Sequence, residues 1–262
     1  MISLGLVFRF ALLALLLGAA TFLHAAQVVK VAAAVFPPYI EKEGPDATGA
    51  VKIELISLMN AFQNKYRFEL VESTAVRRFS DFDQGLYDVS CFDNLAWGWG
   101  DRPVDASPVY LRGSEVYVAQ AKPGRDQTYF ADLTNKRMIG MRGYHYGFAK
   151  FNADPKYLEA NFRMALTQTN EMTLRFLLLD RGDVAVVTEA FLPDYFARNP
   201  QNKGQLLIST RKDQTYAHSC IVRRGTQPGA AEIGRLLEQM HRKGALKSLW
   251  QKYGAERRPA LP

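Results

Sequence analysis

Residues that usually announce a chemistry are scarce in this 262-residue chain. It holds four histidines and two cysteines, and none of them stand at metal-ligand spacing. There is no Gly-x-Ser-x-Gly elbow and no glycine-rich phosphate loop ending in lysine, so the commonest hydrolase and nucleotide signatures are missing. Internal repeats and low-complexity tracts are absent as well. After residue 26 no apolar run is long enough to span a bilayer. Lys and Arg number 33 against 26 Asp and Glu, a net charge of +7. The basic residues are scattered, with only short pairs such as Arg77-Arg78, Arg223-Arg224 and Arg257-Arg258. A nucleic-acid footprint needs a clustered stripe, so no nucleic acid is expected as a partner. The charge reads as surface solvation with some bias toward anionic ligands.

The N-terminus carries the one long apolar stretch. Arg9 supplies a short basic region, Phe10 to Gly18 is apolar, and small residues follow at Ala25 and Ala26. Residues 1–26 therefore read as a secretory signal, with a soluble, monomeric periplasmic product expected. The rival is an uncleaved anchor helix. No cysteine stands near the junction, which argues against a lipid anchor. About 236 residues remain, enough for one large domain or two small lobes. Both cysteines, Cys91 and Cys220, survive cleavage. An even count in an exported chain favours a disulfide, and both flanking segments look like strands that could pair. Two buried free thiols are the alternative.

Along the chain, strand-length apolar runs alternate with helical periodicity. Val28–Val35 reads as a strand ended by Pro37-Pro38, and residues 41–48 as a loop. Leu55, Leu58, Met59, Phe62 and Tyr66 share one helical face. Phe68–Val71 and Tyr87–Phe92 read as strands, with a short helix around Phe79 and Phe82. Lys136–Met141 and Val184–Val187 repeat the strand pattern, separated by a helix that Asn170 can cap. Pro228 suits the first turn of a helix through Met240, and a last helix carries Leu246 to Tyr253. The fold class expected is α/β with mostly parallel sheets.

Three segments add a family resemblance. Ala33-Ala-Val-Phe-Pro-Pro-Tyr39, Gly85-Leu-Tyr-Asp-Val89 and Asp105-Ala-Ser-Pro-Val-Tyr110 resemble the extracytoplasmic solute-binding proteins, family 3, the polar amino-acid-binding receptors of ABC importers. Asp132-Leu133 with Lys136 to Gly140, Leu179 to Glu189, and Gly244 to Gly254 are similar to later pieces of that family, in the same order. The resemblance implies a two-lobed, periplasmic-binding-protein-like fold with two crossovers between lobes. These fall near Leu111–Glu115 and Asp213–Ala217. Lobe 1 would be 27–112 plus 217–262, and lobe 2 would be 113–216. It also implies a ligand in the cleft and closure by hinge motion.

Candidate site residues follow from position. Phe36 and Tyr39 lie at the end of the first strand, where open α/β sheets bind ligands. Asp93 to Arg102 departs from the family. Trp97 takes a slot for a hydroxyl residue, and an ungapped overlay puts Gly100 where the carboxylate-clamping Arg belongs. Arg102, two residues on, is a conditional clamp or an exposed turn residue. Asn94, Trp97 and Trp99 are candidate contacts, the tryptophans as an aromatic wall or as plain packing. In the second lobe Arg142, Tyr144 and His145 stand where the family enters a helix, a backbone anion site. The slot of the family's amino-group acid falls on Thr188 or Glu189, and Glu189 can do that job.

The reading is a periplasmic receptor that traps a small polar or zwitterionic, amino-acid-like molecule for an ABC permease. No cofactor and no catalytic residue is expected. One rival is a dehydratase-type enzyme on the same fold, with Glu189 or His145 as its acid. The other is a ligand-sensing partner of a membrane signalling protein.

Overall fold

The structure is a computed structural model that describes residues 25–42 and 50–253. The signal expected at 1–26 therefore lies outside the described residues except for its last two. So does most of the loop expected at 41–48. In chain order the elements are β1 (Gln27–Ala34), β2 (Glu41–Lys42), β3 (Val51–Lys52), α1 (Glu54–Phe62), β4 (Tyr66–Ser73), α2 (Arg78–Asp83), β5 (Val89–Asp93), β6 (Val104–Ala106) and β7 (Leu111–Gln120). Then come β8 (Met138–Met141), α3 (Pro155–Phe162), β9 (Ala165–Thr167), α4 (Asn170–Leu178), β10 (Val184–Thr188), α5 (Leu192–Arg198), β11 (Leu206–Arg223), α6 (Ala230–Arg242) and α7 (Lys247–Lys252).

Local chemistry sets most boundaries. Asp154 accepts from the Tyr157 amide and Pro155 opens the first turn of α3, a favourable pairing of cap and proline. The cap of α4 is Thr169, which accepts from the Met172 amide. It lies one residue before the expected Asn170. The helix α1 stops at Phe62, and Tyr66 begins β4, so Tyr66 does not share the helical face of Leu55 and Met59. The helix after Pro228 starts at Ala230 rather than at the proline.

The strands run in the order β4-β1-β5-β11-β7-β10-β8-β9, with β6 beside β11. β1 is parallel to β4 and β5, and β8 is parallel to β9 and β10. The central pairs β5–β11, β7–β11 and β7–β10 are antiparallel. The sheet is thus mixed, not mostly parallel. The reason is β11, 18 residues long, whose polar middle, Ser209 to Thr215, breaks the apolar signal of a strand. Its later part pairs with β5 and its earlier part with the far end of β7. The pairs Leu111↔His218 through Glu115↔Gln214 carry the chain between the two regions.

Separate cores lie on either side of that crossing. One packs Val29, Val31, Phe68, Val89, Ile233 and Leu237, and another packs Val116, Val118, Ile139, Leu174 and Val187. Burying apolar side chains contributes roughly 25 cal/mol per Å², so each region has its own means of holding together. Cys91 on β5 and Cys220 on β11 form a disulfide, with Cα atoms 3.9 Å apart. Both are buried. Among the described residues no helix is long and apolar enough to cross a membrane.

Candidate functional site

The ends of β1 and β5 meet the start of β7 and the turn after β8. Between them lies a cavity of about 50 Å³. On one side it is lined by Phe36, Ala75, Arg78, Ser90, Asp93 and Trp97, and on the other by Glu115, Tyr144, His145 and Gln214. Phe36 and Trp97 follow the ends of β1 and β5, Arg78 opens α2, and Glu115 and Gln214 are paired where β7 and β11 cross.

Three of the lining residues carry a buried polar atom with no hydrogen-bond partner: Arg78 Nε, Glu115 Oε2 and Tyr144 Oη. Leaving such atoms unmet costs roughly 1–3 kcal/mol each, more when charged. That three such residues line one cavity makes it the candidate ligand place among the described residues. Aromatic walls surround them. Phe36 meets Trp97 and Tyr144 edge to face, with centroids 6.0 and 5.6 Å away.

The two sides are tied across the gap. Trp97 Nε1 donates to Gln214 Oε1 at 3.1 Å, and Gln214 Nε2 donates to the His145 carbonyl at 2.5 Å. Arg78 Nη2 donates to the Trp97 carbonyl and lies 3.5 Å from His145 Nδ1. Burial, with the Arg78 charge adding to it, pushes the His145 imidazole down to about 3, so it is neutral at pH 7. Glu115 behaves oppositely. Burial pushes its carboxyl up to about 8, against hydrogen bonds from Thr188 and Tyr216 and with Asp213 raising it further. Its Oε1 accepts from Thr188 Oγ1 at 3.0 Å and from the Tyr216 hydroxyl at 3.2 Å.

Of the residues expected from sequence, the cavity gathers Phe36, Trp97, Tyr144 and His145. The others go elsewhere. Tyr39 stacks on Phe92 at 4.9 Å and lines a separate, outer groove. Asn94 is spent holding its own loop, donating to the Ala217 carbonyl at 3.1 Å and accepting from the Ala96 amide at 2.8 Å. Trp99 is core, with Phe79 and Phe82 edge-on at 5.3 Å and its Nε1 donating to Asp93. Arg102 makes a two-pronged pair with Asp83, both contacts 2.8 Å, and does not line the cavity.

In the second region Arg142 is exposed. The turn after it enters only a short 3₁₀ segment, Gly147–Ala149. The Gly147 and Phe148 amides donate to the Asp213 carboxylate at 2.7 and 2.9 Å, so the protein's own acid fills this turn's anion place. Glu189 pairs with Lys212 and Ser114 and lines the outer groove. Burial works to raise its carboxyl, but those hydrogen bonds outweigh it and hold it below the ordinary range.

Sequence reasoning missed Arg78 and Glu115. Arg78 opens α2 beside a second arginine and looked like one half of a surface pair. Glu115 follows Ser114 in β7 and leads into an apolar run, and a lone acid opening the buried stretch Glu115-Val-Tyr-Val-Ala119 was a signal that could have been read.

No protein-family model and no curated protein sequence matches this chain. Solved structures do match. A substrate-binding protein of an amino-acid ABC transporter superposes with TM-score 0.65 at 15% identity, over 87% of this chain and all of that one. An ABC uptake transporter substrate-binding protein from Streptococcus pneumoniae with bound histidine gives TM-score 0.68 at 18% identity, over 87% and 93%. The GluR0 ligand-binding core complexed with L-glutamate gives TM-score 0.68 at 13% identity, over 87% and 99%. The chain therefore has the two-lobed periplasmic-binding-protein fold.

Proposed function

We propose that this protein is a periplasmic receptor that closes on a small amino-acid-like molecule and presents it to an ABC permease. One observation carries the reading: residues from both sides of the strand crossing that hold a buried, unpartnered polar atom, Arg78, Glu115 and Tyr144, line one cavity. Lobe 1 is 27–112 plus 217–262 and lobe 2 is 113–216, with the hinge at the paired crossing of β7 and β11. Arg78 takes the ligand's carboxylate through a charge-assisted contact, in the role that Arg102 and Arg142 do not fill. Phe36, Trp97 and Tyr144 form its walls. Neighbours of the same fold with bound histidine and bound glutamate support the ligand class.

An enzyme reading gains little from the groups offered for it. Glu189 is held ionised by Lys212 and Ser114, and His145 is held neutral, so neither is a proton donor at pH 7. The test is a thermal-shift screen across the amino acids, their hydroxy-acid analogues and polyamines. A ligand that binds only the folded state raises the melting temperature by mass action. Stabilisation by an amino acid, abolished in Arg78→Met, upholds the reading. Stabilisation by none of these compounds overturns it.

A further inference from the structure

The sheet ends at β4, which has a neighbour, β1, on one side only. An edge strand carries a row of unpaired backbone groups, ready to pair with another chain. The Gln27 amide donates to the Lys65 carbonyl, so odd-numbered residues here turn their groups toward β1. Even-numbered residues, Tyr66, Phe68, Leu70 and Glu72, turn theirs away from the sheet. Two of these four are already occupied. Asn60, in the last turn of α1, donates through Nδ2 to the Phe68 carbonyl and accepts through Oδ1 from the Phe68 amide, both at 2.8 Å. Gln63, which caps the end of α1, does the same for Tyr66, again with both contacts at 2.8 Å. Its Nε2 also reaches the Met59 carbonyl at 3.3 Å, which ties it to the helix. A side-chain amide offers the same donor and acceptor as a peptide unit. Each therefore makes the two-bond exchange that a residue of an antiparallel neighbour strand would make. Among the described residues, none bonds the outward backbone groups of Leu70 or Glu72, and both side chains are exposed.

We propose that Asn60 and Gln63 stand in for a missing strand and keep β4 from pairing with β4 of a second copy of this chain. A second copy is the partner that this edge fits. Two antiparallel copies of one strand close both edges at once about a two-fold axis. With the axis at Phe68, Phe68 faces its own image and Tyr66 faces Leu70 of the second copy. Arg67 then faces Glu69 of the second copy, and Glu69 faces its Arg67. Both side chains are exposed, and they share one face of the strand, with Arg67 Nη2 2.6 Å from Glu69 Oε1. Opposite charges placed directly opposite favour such a pairing. The same register would use the backbone groups of Phe68 and Tyr66, and those are the groups that the two amides occupy. The cleft plays no part in it.

The test starts from the exported wild type. Amide exchange, read residue by residue by NMR, should be slower at Tyr66 and Phe68 than at Leu70 and Glu72 by roughly tenfold, the scale of one net hydrogen bond. Asn60→Leu should remove that protection at Phe68 alone, and Gln63→Met at Tyr66 alone. In sedimentation over a wide range of concentration the wild type should stay monomeric, while the Asn60→Leu/Gln63→Met double variant should dimerise. Adding Arg67→Glu, which sets acid against acid in the paired register, should return the double variant to monomer. Circular dichroism and melting check that the variants fold. Exchange at Tyr66 and Phe68 as fast as at Leu70 and Glu72 overturns the proposal, and that measurement needs no variant. A folded double variant that stays monomeric overturns it too, as does a dimer that Arg67→Glu leaves intact.

Discussion

Removing the Cys91–Cys220 bond should cost stability by an amount that the topology fixes. The two residues are 129 positions apart. In the chain-entropy description, closing a loop of that length lowers the entropy of the unfolded chain enough to give about 5 kcal/mol at 25 °C. The native strands do not need the bond to find their register. Ser219↔Asp93, Ile221↔Ser90 and Val222↔Val89 pair on either side of it, and Ser107 holds the Cys220 amide at 2.9 Å. The effect should therefore sit mainly in the unfolded state. Urea unfolding of the exported wild type and of the Cys91→Ala/Cys220→Ala variant should differ by about 3–5 kcal/mol. The melting temperature should fall by roughly 2–4 °C per kcal/mol for a chain of this size. The urea slope of the variant should be steeper, since its unfolded chain is less compact. A loss under about 1 kcal/mol with an unchanged slope would refute the reasoning.

Other outcomes can be checked without knowing the ligand. Stability of the free protein should peak near pH 6.5. His145 and His218 are both held down to about 3 by burial, so the unfolded state binds more protons than the folded one below 6.5, and stability rises with pH there. Glu115 is raised to about 8, so above 6.5 the folded state binds more, and stability falls by up to about 1.4 kcal/mol per pH unit until about 8. Glu115→Gln should flatten that upper limb in chemical-denaturation curves taken from pH 5 to 9. Gly143 has φ +82°, and a Cβ there would lie 2.9 Å from the Ala75 carbonyl carbon, whereas a Cβ at Gly100, φ +54°, would meet nothing. Both alanine variants bear left-handed strain, but only Gly143→Ala should also wedge the seam between the halves. It should raise the radius of gyration in solution scattering and speed ligand release, with Gly100→Ala unchanged in both.

The strand–helix alternation was readable because strands such as β5, β8 and β10 are short runs buried along their whole length. The disulfide was readable because two cysteines in strand-like segments of an exported chain have few other fates. The central antiparallel strands were not, since Ser209 to Thr215 is polar where β11 passes between the cores and borders no single apolar face. At the site, aromatic residues at strand ends were visible as candidates, and Phe36, Trp97 and Tyr144 came together. Charged candidates fared worse. Arg102 and Glu189 found partners on the protein, Asp83 and Lys212, and such pairings depend on tertiary neighbours that linear spacing does not encode. Arg78 Nε and Glu115 Oε2 are instead left without a partner, and partnership is a property of the folded chain.

The most direct measurement is the affinity of the screened amino-acid ligand for wild type, Arg78→Met and Arg102→Met. Arg78→Met should lose binding by roughly 30-fold or more, the usual scale for breaking a buried charge pair, while Arg102→Met should bind within a few-fold of wild type. Wild-type affinity in Arg78→Met, or loss in Arg102→Met alone, would contradict the placement of the ligand between the two halves at this cavity.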